Sequence, residues 1–327
     1  MKKIVIILAI VILTGLGQAG PVNQKQIAAS AKWAFHLDLE QLRASEIGKL
    51  ASDEAVKQGH AEKLDNLAEV IGYHPYYDVN SVLLYGPDDN EFNAVMLIAG
   101  NLNDEKIVPL IKLNETYKLI EYGDLRVHQW IGKKDEKPVF CCFSSENHMV
   151  VTRKLETIQG ALDVLSGTAD NLTVGDSLAR LDEIPKNTIV VVAADDLQEV
   201  AGDKNKAAIL NYTEMLAVIV GETQGNLRLN ISLITESAES AQQTRQMIQG
   251  IVAFMMLKQR DHPELLKLAS AIKIAGEDKN VEIDFEYPSW KLFELLEKIK
   301  AHKAIKIELK NSQEEEPAES EDGEIEE

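Results

Sequence analysis

Residues 31–40 read AKWAFHLDLE. Trp33, Phe35, Leu37 and Leu39 alternate with Ala34, His36 and Asp38, the two-residue period of a strand with one buried side. The period then changes. Leu42, Ile47 and Leu50 fall on one side of a helix, and Leu64, Leu67, Val70 and Ile71 predict a second helix over 61–71. A strand that feeds directly into helices, with more strands to follow, points to an α+β protein.

Reading outward, SVLLYG at 81–86 and the apolar run at 93–99 predict a hairpin whose turn is Pro87-Asp88-Asp89-Asn90. Asn103 and Asp104 suit the cap of a helix through about 112. Strands at 117–121, 125–131, 138–143 and 147–152 form a meander, and a helix over 154–165 closes the half. The order then starts again. IVVVAADDLQEV at 189–200 is a strand entering a helix, and strands at 212–220 and 227–234 flank Gly221 to Gly225. A helix follows over 236–257, then strands at 271–275 and 280–286 and a helix at 289–300.

Each half therefore reads β-α-β-β-α-β-β-α, with an extra hairpin at 138–152 in the first. This order predicts a diverged internal duplication, built as mostly antiparallel sheet with helices on one face. The expected divisions are a leader at 1–19, a linker at 20–30, a first repeat at 31–166 and a linker at 167–187. A second repeat at 188–305 and an acidic tail at 306–327 complete the chain.

The leader has three parts in a telling order. Lys2 and Lys3 precede an apolar run of 13 residues, Ile4 to Leu16, and Gly17 and Ala19 then supply small residues at the −3 and −1 positions. That is the pattern of a secretory signal peptide with cleavage after Ala19. As a helix the run spans about 20 Å, short of the roughly 30 Å of bilayer hydrocarbon, so no stable membrane span is expected after cleavage. The protein is expected to be exported, to the periplasm or the exterior.

Charge narrows the partners. The chain carries 53 acids against 34 bases, a formal net charge of −19, which repels nucleic-acid phosphates and anionic headgroups. Nucleic acid is not an expected partner. From Asn311 onward there are nine acids and no base. This composition solvates rather than folds, and it could attract cations or a basic protein.

No motif assigns a reaction. His36 and Asp38 share a strand face, a pairing that can tune a general base, but nothing nearby in sequence supplies a nucleophile. His74 sits in the aromatic loop Tyr73-His74-Pro75-Tyr76-Tyr77, and His128 and His148 belong to the meander. The histidines lack metal-ligand spacing, and Cys141 and Cys142 are neighbours on a strand, pointing to opposite faces. Asp88–Glu91 lacks the length and glycine of a calcium loop, and Asp195-Asp196 reads as a helix cap. Phosphate-loop, dinucleotide and nucleophile-elbow patterns are absent. No cofactor, metal or catalytic residue is expected.

The chain resembles a class of uncharacterised exported proteins of planctomycete-type bacteria. The likeness rests on the leader, AKWAFHLDLEQLRASEIGK, SVLLYG, TIQGALDVLSG and IVVVAADDLQEV. It implies export and the α+β fold, and no activity. The function expected is that of a non-catalytic binding or interaction protein of the envelope or exterior, acting through its sheet face or loops. The alternative is an envelope hydrolase with His36, His128 or His148 as base and Ser144 or Ser145 as nucleophile.

Overall fold

The computed structural model describes residues 22–102, 104–144, 147–173, 178, 181, 184–197, 212–259 and 262–300. Strand β1 (Trp33–Asp38) runs into helix α1 (Leu39–Ala44), followed by α2 (Glu46–Lys57) and α3 (His60–Ile71). Next come β2 (Val79–Gly86), β3 (Val95–Gly100), α4 (Asp104–Lys112) and the meander β4 (Lys118–Tyr122), β5 (Leu125–Ile131), β6 (Pro138–Phe143) and β7 (His148–Thr152). Helix α5 (Leu155–Ser166) ends this part, and β8 (Thr188–Asp195) opens the next. It continues through β9 (Thr213–Thr223), β10 (Asn226–Thr235), α6 (Ala238–Lys258), α7 (Pro263–Ser270), β11 (Ile272–Ala275) and β12 (Asn280–Pro288), with a helix α8 at 289–300.

All 12 strands join one sheet in the order β11-β12-β10-β9-β8-β1-β2-β3-β7-β6-β5-β4. Every neighbouring pair is antiparallel. β1 and β8 are therefore central and adjacent, although about 150 residues separate them in the chain.

The alternation read in β1 sorts the core. Ala34 belongs to a large cluster with Leu83, Tyr85, Leu97, Val127, Cys142 and Val150, covered by Ile158, Ala161 and Leu162 of α5. Phe35 and Leu37 point the other way and pack with Leu39 and Leu42 of α1 and Ile47 of α2. Helix α6 lies on that second side too. Its Ala241 and Ile248 pack on Leu233, Ile231 and Val281, and the cross-strand partners Phe35, Val192, Val218, Ile231 and Ile283 form one row on that face. Helices thus cover both faces of the sheet, a correction to the single helical face expected from sequence. The reason is the alternation itself: Ala34 and Leu83 make their side of the sheet as apolar as the aromatic side, and each side needs its own cover.

The helix read through Leu42, Ile47 and Leu50 is two helices. Ser45 is extended between them (φ −70°, ψ 157°) and caps α2 by accepting from Gly48 N. The break lets α1 and α2 approach so closely that a Cβ on Gly48 would lie 1.8 Å from the Leu42 carbonyl oxygen.

Two long-range ties fasten the halves to each other. Glu222, near the end of β9, accepts from the Glu46 and Ile47 amides at 2.5 and 2.9 Å and from Ser289 Oγ at 2.6 Å. The β1–β8 ladder is the second tie.

Candidate functional site

On the Ala34 side of the sheet, β1, β2, β3 and β7 place their residues in register. One row across the strand ends is Asp38, Ser81, Ala99 and His148; the next row inward is His36, Leu83, Leu97 and Val150. Two residues along a strand separate these rows, about 7 Å. The outer row is more polar and the inner row, His36 apart, is aliphatic.

Over these rows lies a cavity of about 760 Å³, within the size range of small-ligand sites. The sheet gives it a floor of His36, Asn80, Ser81, Leu83, Leu97, Ala99 and His148. One wall is the segment Val22–Gln26, whose 24–26 turn is capped by Asn23 and pinned by the fully buried Ile27. The other wall is formed by Thr173, Leu181, Ile184 and Lys186. The walls hold each other: Ala28 bridges to Asn171, and the Leu172 amide donates to the Ile27 carbonyl at 2.9 Å. The stretches read from sequence as linkers, at 20–30 and 167–187, are therefore where the cavity walls arise.

His148 is reached from the wall by Gln26, Nε2 to Nε2 at 3.0 Å. His36 is different. It is 7% exposed, no described residue hydrogen-bonds to its ring, and burial drives its pKa down to about 4. It is a neutral imidazole at neutral pH. His36 and His148 are three strands apart, about 14 Å at the usual spacing, so they cannot work on one reacting atom.

The other residues singled out in the sequence disperse. Asp38 turns its carboxylate into the first turn of α1, accepting from the Gln41 amide at 2.8 Å. Burial raises its pKa to about 6 against the opposing pull of that amide, the Glu40 amide and Arg43. His128 pairs with Cys141 on the opposite sheet face, and its Nδ1 meets the Tyr117 hydroxyl at 3.0 Å. Burial first, then Lys112 and Arg126, lowers its pKa. Ser144 Oγ is buried with no hydrogen-bond partner, so it is not coupled to any imidazole. Ser145, Asn103, the leader with Ala19 and the acidic tail lie outside the described residues.

His74 serves its own loop: Nδ1 accepts from the Tyr76 and Tyr77 amides and Nε2 faces Asp65 at 3.2 Å. Asp88 and Asn90 cap their turn, and Asp196 pairs with Lys32 at 3.3 Å. Cys141 and Cys142 are both buried and free, on opposite faces as read. Burial raises both thiols, that of Cys142 to about 11. Among the described residues no three His, Cys, Asp or Glu side chains converge as metal ligands, and no helix is long and apolar enough to cross a membrane.

Sequence reasoning named His36 and His148 but missed Gln26, Lys25 and Lys186. The available signal was apolar residues within the supposed linkers: Val22 and Ile27, and Leu178, Leu181 and Ile184 at three-residue intervals.

No protein-family pattern and no curated protein matches this chain. Among solved structures, crystal form I of TP0453 superposes with a TM-score of 0.45 at 10% identity, covering 84% of this chain and 96% of that one.

Proposed function

We propose that this chain is an exported, non-catalytic binding protein that holds a small ligand in the cavity between Val22–Gln26, the sheet and the wall residues Thr173, Leu181, Ile184 and Lys186. One observation carries the reading: a roomy, partly aliphatic cavity containing a buried imidazole with no described partner. Buried polar groups are ordinarily satisfied, and a ligand would satisfy this one. The dispersal of His36, His128 and Ser144 favours binding over hydrolysis.

Export remains part of the proposal, on the strength of the leader and Ala19; mass spectrometry of the native protein should find an N-terminus at Gly20, and an intact Met1 would refute it. The duplication is proposed as well. It is supported by the matching strand orders β1-β2-β3-β5-β4 and β8-β9-β10-β12-β11, with β6–β7 as the insertion. The acidic tail is proposed to attract cations or a basic partner.

Binding is tested with Nile red, an uncharged dye that brightens in apolar sites. The protein should bind it saturably at one site per chain. Ala99→Phe, which fills the floor, should abolish this while leaving the circular dichroism spectrum unchanged. Equal binding by the filled variant would place the dye elsewhere and refute the reading.

A further inference from the structure

The described residues that line the cavity include two lysines, Lys25 and Lys186, and two histidines, His36 and His148. No Phe, Trp or Tyr is among the described lining residues, so these offer no platform on which a planar base or ring could stack. The apolar members are all aliphatic: Val22, Leu83, Leu97, Ala99, Leu181 and Ile184.

These groups are also sorted in space. Ser81 and His148 occupy the row at the strand ends, and Lys186 enters two residues before β8, at the same end of the sheet. Gln26 joins His148 there and brings the adjacent, exposed Lys25 to the rim. Leu83 and Leu97 form the deeper row with His36, backed by the closed core of Tyr85, Val150 and Ile158. The cavity is thus cationic and hydrogen-bonding at its rim and aliphatic inside.

We infer that the ligand is an anionic amphiphile, its acidic headgroup set at the rim between Lys25, Lys186 and the Gln26–His148 pair, and its aliphatic chain lying along Leu83, Leu97 and Ile184. This rests on the binding reading above and specifies its chemistry. In a strongly acidic protein, an anion would be turned away from the average surface, and Lys25 and Lys186 offset that repulsion at the rim. The neutral His36 ring adds a hydrogen-bonding group partway down the cavity. It suits a hydroxyl or carbonyl on the ligand body and needs no second charge.

The experiment measures dissociation constants of the full-length protein at pH 7.5 and low salt for dodecanoate, dodecyl phosphate, dodecanol and acetate, each below its micelle concentration. Dodecanoate or dodecyl phosphate should bind at least tenfold more tightly than dodecanol, and acetate should not bind measurably. Binding of both acids shows recognition of charge alone, whereas binding of only one identifies the headgroup as carboxylate or phosphate. The double variant Lys25→Gln/Lys186→Gln should close most of the gap between acid and alcohol without weakening the alcohol.

If alcohol and acid bind equally, the cavity reading survives and the anionic headgroup is refuted. If neither binds while Nile red still does, the amphiphile is refuted and the cavity stands. If the Ala99→Phe variant retains dodecanoate, the amphiphile sits on another surface and the inference fails.

Discussion

His36 and Asp38, two residues apart on β1, are pushed in opposite directions by the same cause. Burial disfavours charge, so the imidazole pKa falls to about 4 and the carboxyl pKa rises to about 6. Their effects on stability follow by linkage. An unfolded chain takes up a proton on His36 near its usual value of 6.5, while the native ring does not until about pH 4. That residue's contribution is present at neutral pH and is lost as pH falls from 6.5 toward 4, by up to about 3 kcal/mol. His36→Gln, which cannot titrate, should therefore flatten the acid limb; parallel urea midpoints of parent and variant between pH 7 and 4 would refute this. For Asp38 the sign reverses. The native carboxyl keeps its proton above the unfolded value of 3.8, so its contribution is present below that value and is lost as pH rises through 6. Asp38→Asn keeps an N-cap side chain and should gain on the parent in melting temperature as pH rises from 5 to 8. A difference that does not change with pH would argue against it.

At the scale of elements, close approach and capping hold the helices in place. Gly48→Ala would drive a methyl into the Leu42 carbonyl and should cost about 3 kcal/mol, at the upper end for overpacking, as read from chemical denaturation. Glu222→Ala removes the carboxylate that caps α2 and receives Ser289, and should cost about 2 kcal/mol. Unchanged stability in either variant would show that α2 can shift freely. The strands and hairpins were legible because alternation and turn chemistry are local. Elements set by tertiary packing were not. The break at Ser45 looks like a continuous helix on periodicity alone, since Leu42 and Ile47 keep facing the same core. Helix α7 (Pro263–Ser270) went unread because it is only 8 residues long, though Pro263 at its first turn marks its start. Among the described wall residues the one regular element is the 3-10 turn Gln24–Gln26, too short for any period to announce it. The walls are positioned by contacts such as Ile27 with Leu172, which meet across about 145 residues of chain. The floor was half visible: alternation put His36 on its face, but only strand pairing could bring Leu83, Leu97 and His148 beside it.

For the whole molecule, the sheet order makes the two halves dependent on each other. β1 and β8 lie in the middle of a continuous ladder, and separating the halves would expose apolar edges prone to pairing with other chains. Calorimetry should show one cooperative transition for the body, and two resolved peaks would indicate independent halves. The buried thiols offer a further use of this architecture. Cys141 and Cys142 sit on opposite faces of β6, deep in both layers, with thiols held too basic to react. A thiol reagent added to the folded protein would find nothing to modify until the sheet parts. The two sulfurs then act as a stopwatch for opening: the rate at which mass is gained reports how often the structure breathes, and slower labelling on addition of a ligand would show occupancy without any dye.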